Sequence, residues 1–85
     1  MFYVYLLRSK KNGSLYIGFA PDLKARLIKH DQGLVQSTKN IRPMNLVYFE
    51  GYKSKEDALL REKRLKQFAQ GFASLKRRII NSLTL

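Results

Sequence analysis

The sequence predicts an α+β chain in which a β-hairpin comes first and helices follow, in the order ββαβαα. That reading rests on an N-terminal alternation of aromatic and β-branched residues around Asn12-Gly13, a similar run near residue 45, and stretches whose apolar residues recur at helical spacing.

The first element is Phe2 to Arg8, FYVYLLR, where Phe2, Val4 and Leu6 face one side and Tyr3, Tyr5 and Leu7 the other. Asn12-Gly13 accepts the positive φ of a tight turn, so Leu15 to Phe19 returns antiparallel as the second strand. Asp22 is placed to cap a helix running to His30, with Gly33 ending it. Gln32 to Pro43 has no clear period and is expected to be a mobile basic loop before a third strand, Asn45 to Tyr52. Ser54 and Asp57 open a second helix in the manner of a capping box, expected to reach about Gln70 and stop at Gly71. Ser74 then caps a last helix in which Leu75, Ile79 and Leu83 form an apolar stripe.

Composition narrows the function classes. A chain of 85 residues buries only about 60–65% of its unfolded surface and forms one core, so residues 1–85 are read as a single domain. With no cysteine and one histidine, thiolate and zinc-finger sites are excluded, and any metal must be held by oxygen. No long apolar segment is present, and the chain is read as soluble and cytoplasmic, without a membrane partner. Seventeen Lys and Arg against six Asp and Glu give a charge of +11 and a pI near 10.3, which points to a polyanion, nucleic acid before membrane. Lys29, Lys39 and Arg42 are the candidate contacts to it. The sequence carries no signal for oligomeric state.

Glu62 is the residue whose position most needs explaining. At about 100° per residue, Ala58, Leu65 and Ala69 fall near one line of the second helix, with Glu62 only about 40° away. A carboxylate near the buried face either pairs with a neighbouring cation, Arg26 being one option, or projects into a cleft where it holds something. Arg26 and His30 lie at the margin of the core-facing stripe of the first helix, as a snorkelling arginine and a dipole-favoured histidine or as groups facing that same cleft. In the hairpin, Tyr3 and Tyr5 share one face, as do Tyr16 and Gly18. A glycine inside a strand marks close approach by a ligand or another chain.

Tyr3-Val4-Tyr5, Tyr16-Ile17-Gly18, Arg26, His30 and the helical Glu62 resemble the pattern of the GIY-YIG nuclease superfamily over nearly the whole chain. The phrases Arg42 to Glu50, RPMNLVYFE, and Ala58 to Lys66, ALLREKRLK, are similar to those of its small stand-alone members, relatives of the UvrC N-terminal nuclease domain. The first motif here is Tyr-Val-Tyr rather than Gly-Ile-Tyr, Phe19-Ala20-Pro21 is an unusual continuation of the second, and Asn81 matches a late family asparagine by position alone. The resemblance implies a three-stranded antiparallel sheet flanked by helices, and an endonuclease hydrolysing DNA with Mg²⁺ or Mn²⁺. It also implies that Tyr5, Tyr16, Gly18, Arg26, His30 and Glu62 form the site, with Glu62 on the metal. Branched or single-stranded DNA in repair or processing is the expected substrate. The alternative is a nucleic-acid-binding module on the same fold with weak catalysis.

Overall fold

In the computed structural model, which describes residues 1–85, the run Phe2–Ser9 (β1) is the central strand of a three-stranded sheet in the order β2-β1-β3. Its position explains its composition. Val4, Tyr5, Leu6 and Leu7 are all at most 2% exposed, a continuous buried run that only a strand covered on both faces can hold. Leu15–Ala20 (β2) and Met44–Tyr52 (β3) pair with it antiparallel, as the implied fold requires.

Alternation sorts the side chains into two layers. Val4, Leu6 and Ile17 meet Ala58, Leu65 and Leu75 of the C-terminal helices on one face. Tyr5, Leu7 and Ala20 face the opposite way, against Leu23 and Leu27 of α1, Leu23–Asp31. Asp22 caps α1 as expected, its carboxylate accepting from the Ala25 amide at 3.0 Å. Gly33, at φ 75°, lets the chain leave the helix.

The segment expected to be a mobile loop is tied down instead. A 3₁₀ turn, Lys39–Ile41, forms within it, Ser9 Oγ donates to the Ile41 carbonyl at 2.6 Å, and Thr38 is fully buried. The second helix, α2 (Lys55–Gln67), is capped by Ser54 but ends sooner than the sequence indicated. Phe68 adopts an extended backbone (φ −115°, ψ 101°), and α3, Ala69–Arg78, starts immediately after it and runs through Gly71. The break turns the chain so that Phe72, Leu75, Ile79 and Leu83 pack on the core, which contiguous helix could not do. Ile79 bends the chain again into the short α4, Ile80–Thr84. No helix is long and apolar enough to cross a membrane.

One polar cluster locks α2 to the sheet. Period-2 alternation puts Tyr48, Glu50 and Tyr52 of β3 on the same face. Both phenols donate to the Glu50 carboxylate at 2.6 Å, and Arg61 of α2 closes a two-pronged pair, Nε to Oε1 and Nη2 to Oε2, each at 2.9 Å. Burial pushes the Glu50 carboxyl up, but these donors outweigh it and hold it below its ordinary 4.5. Burial and the same hydrogen bond push Tyr52 up to about 12.

Removing that charge has a calculable signature. Glu50→Gln is expected to lower stability at neutral pH by about 1.5–3 kcal/mol, the usual worth of hydrogen bonds to a charged group. Because the folded carboxyl titrates below the unfolded one, this stabilisation is complete above the unfolded value and is lost as pH falls through the folded value. Urea denaturation of both proteins, repeated in steps toward about pH 3, should show the wild-type advantage shrinking over that acid window.

Candidate active site

Tyr5 organises the site. It sits opposite Gly18 in the β1–β2 register, and a Cβ built on Gly18 would overlap the Tyr5 ring. The close approach that the sequence assigned to a ligand or another chain is therefore made by a side chain of the neighbouring strand. Lying over bare backbone, the phenol reaches α1, where its Oη is 2.8 Å from His30 Nε2.

His30 is 1% exposed, the one buried residue of α1, and its Nδ1 is 2.7 Å from the Thr38 hydroxyl. Burial, and after it the positive charge of Arg26, holds the imidazole below its ordinary 6.5 and so favours its neutral form. His30 is therefore more than a dipole-favoured histidine at a helix end: it is buried, with a hydrogen-bond partner at each ring nitrogen. Tyr16, half-buried on β2, packs its ring edge-on against His30 at 5.2 Å and against Tyr5 at 6.2 Å between centroids.

Two opposite charges flank this aromatic cluster. Arg26, half-buried on α1, lines a small hollow with Lys29, Pro21 and Asp22, and it belongs to neither of the two ion pairs in the molecule. Glu62 does not pair with it. The Glu62 carboxylate is instead 3.2 Å from Lys66 one turn along α2, an i,i+4 contact whose lysine is half exposed. Both charges act on the Tyr5 phenol, Arg26 favouring its ionised form and Glu62 opposing it. Burial is the largest influence and Tyr16 the next, and together they push Tyr5 well above its ordinary value of 10.0.

Tyr5, Tyr16 and His30 are thus in mutual contact, and the charges of Arg26 and Glu62 both reach the Tyr5 phenol. Of the remaining candidates, Gly18 lies against Tyr5 and Lys29 shares the hollow with Arg26, whereas Lys39 and Arg42 belong to the loop after α1. Lys29 and Lys39 are exposed, whereas Arg42 staples the loop, donating Nε to the Lys39 carbonyl and Nη1 to the Asp31 carbonyl, each at 3.0 Å. Asn81 is on α4, which packs against α3 and β3. Sequence reasoning missed Thr38, which lies in a segment without period, and the Glu50–Arg61 cluster, for which the Tyr48/Glu50/Tyr52 alternation was a usable signal.

The arrangement suits charge stabilisation and proton handling at a single point. It holds no group of three or more His, Cys, Asp or Glu side chains, so a metal would have no all-protein cage. The donor set still fits Mg²⁺ or Mn²⁺, which are satisfied by one carboxylate, water and substrate phosphate oxygens, and Glu62 is the carboxylate not committed to the scaffold.

The chain belongs to the GIY-YIG catalytic domain family, whose model matches residues 1–71. Within it, the chain is 44% identical over 69 residues to a UPF0213 protein of Staphylococcus saprophyticus, covering 80% of this chain and 83% of that one. A Staphylococcus aureus UPF0213 protein is 42% identical over the same coverage. The solution NMR structure of a UPF0213 protein from Bacillus halodurans superimposes with a TM-score of 0.54 at 34% identity, over 89% of this chain and 86% of the other.

The contact between Tyr5 and Gly18 makes its own prediction. Gly18→Ala should cost about 1–3 kcal/mol by overpacking, and in a Tyr5→Ala background the same change should cost much less. Chemical denaturation of the four members of this double-mutant cycle measures the coupling directly.

Proposed function

We propose that this domain is a metal-dependent endonuclease hydrolysing DNA phosphodiester bonds, directed to single strands or branched structures in DNA repair or processing. The observation that carries the reading is that two opposite charges, Arg26 in neither ion pair and Glu62 held only by a half-exposed lysine, both act on the phenol at the centre of the Tyr5–His30–Tyr16 cluster.

Each residue has a task the geometry allows. Arg26 stabilises the negative charge that grows on the phosphoryl oxygens as water attacks phosphorus and the ester oxygen leaves. Tyr5 and Tyr16 position that water and take up its proton; His30, neutral and buried, holds Tyr5 in place. Glu62 would hold a divalent cation together with the substrate phosphate, and the bound cation supplies Lewis-acid stabilisation and favours ionisation of nearby groups. Lys66, half exposed, must release Glu62 for this, and an i,i+4 helix pair is worth only about 0.3–0.5 kcal/mol.

The net charge of +11, with Lys29 beside Arg26, supports a phosphate backbone as the partner. Backbone contacts carry no sequence information, so selection by strandedness or shape is the specificity such a surface provides. A binding module with weak catalysis is the second reading. The raised Tyr5 phenol favours it, since that group is a poor base until a cation joins Arg26 beside it.

Cleavage of labelled single-stranded, duplex and branched DNA with Mg²⁺, Mn²⁺ or EDTA, wild type beside Glu62→Gln, tests the proposal. Metal-dependent cutting should fall by about 100-fold or more in the variant, with a stability change under about 1 kcal/mol because only a single i,i+4 pair to a half-exposed lysine is lost. Salt-sensitive binding without cutting in either protein would support the binding module instead.

A further inference from the structure

Thr38 lies outside every motif, yet it is 0% exposed and its hydroxyl is 2.7 Å from His30 Nδ1. A neutral imidazole has one N–H and one bare nitrogen, so the direction of this bond decides which tautomer is present. Nδ1 is the sole side-chain hydrogen-bond partner of the Thr38 hydroxyl. Were Nδ1–H to donate, the hydroxyl's own proton would be buried with no acceptor, and orphaned buried donors are costlier and rarer than orphaned acceptors. The arrangement that strands no proton has Thr38 Oγ1–H donating to Nδ1.

The consequence passes through the ring. With Nδ1 accepting, the imidazole proton is on Nε2, 2.8 Å from the Tyr5 oxygen, which must then accept. The phenol's own proton then turns away from His30, on the side where the Tyr16 ring packs beside it. We infer that Thr38 is a positioning residue that fixes His30 as the Nε2–H tautomer and thereby makes the Tyr5 oxygen a hydrogen-bond acceptor, its own proton directed toward the reaction surface.

This deepens the nuclease reading and rests on it for its effect on rate. A hydrogen bond donated to the phenol oxygen stabilises that oxygen when ionised, whereas the opposite polarity would commit the Tyr5 proton to His30. Tyr5 is thereby prepared to lose its proton outward and to accept one from attacking water. The pinned loop from Gln32 to Pro43 then contributes to chemistry without touching substrate.

The chain has one imidazole, so its tautomer is readable without assignment ambiguity. Two-bond ¹H–¹⁵N correlation spectra of the whole labelled protein should show His30 with a pyrrole-type Nε2 and a pyridine-type Nδ1. Thr38→Val, close to isosteric but without the donor, should give a mixture of tautomers and lower kcat by about 10-fold with KM unchanged. Thr38→Ser should restore the single tautomer and most of the rate, which a merely volume-filling role would not require. A wild-type protein with Nδ1–H, or a Thr38→Val protein retaining a pure Nε2–H form, overturns the inference. A wild type that shows the Nε2–H form but cuts no DNA removes the nuclease reading while leaving the assignment of Thr38 standing.

Discussion

The site depends on a phenol laid across a glycine. Because Gly18 offers only backbone, the Tyr5 ring lies over β2 and reaches the imidazole of His30. That bond brings a histidine into the core at the end of α1, and Thr38 follows it inward, drawing the loop after α1 against the sheet. Tyr16 completes the cluster from the neighbouring strand. A side chain at position 18 would displace the ring, and with it the contact that joins β1 to α1.

A second constraint sets the opposite wall. Arg61 is held by both oxygens of Glu50, while Ala58 and Leu65 are buried in the core, so the rotation of α2 about its axis is fixed. Glu62 lies one residue and about 100° further round the helix, and its charge acts on the Tyr5 phenol. The two carboxylates of this region have contrasting fates. Glu50 is saturated by Tyr48, Tyr52 and Arg61 and serves stability, whereas Glu62 has only a half-exposed lysine and remains available for another cation.

Local chemistry made the hairpin, the Asp22 and Ser54 caps and the three strands legible in the sequence, because alternation, turn glycines and capping side chains act over a few residues; Ser74, expected to cap the last helix, lies inside α3. The site residues were legible only partly from the chain itself: Glu62 stood out against the apolar face of its helix, but the convergence of Tyr5, Tyr16 and Arg26 came from resemblance. Tertiary effects were hidden. The α2 break falls at Phe68, an ordinary helix residue, and not at Gly71, because packing of Phe72 and Leu75 decides it rather than propensity. Thr38 is buried through a partner eight residues away in a segment without period, and no local pattern announces such a contact.

The central proposal, that the Tyr5–Tyr16–His30 cluster with Arg26 and Glu62 is a hydrolytic site with Glu62 as its cation ligand, is most directly tested by paramagnetic broadening. Mn²⁺ would be titrated into the ¹⁵N-labelled protein with a short single-stranded oligonucleotide bound, and amide signals followed in wild type and Glu62→Gln. The account predicts broadening centred on Glu62, Tyr16 and Arg26 that is lost in the variant. Broadening centred elsewhere, or unchanged by Glu62→Gln, would contradict it.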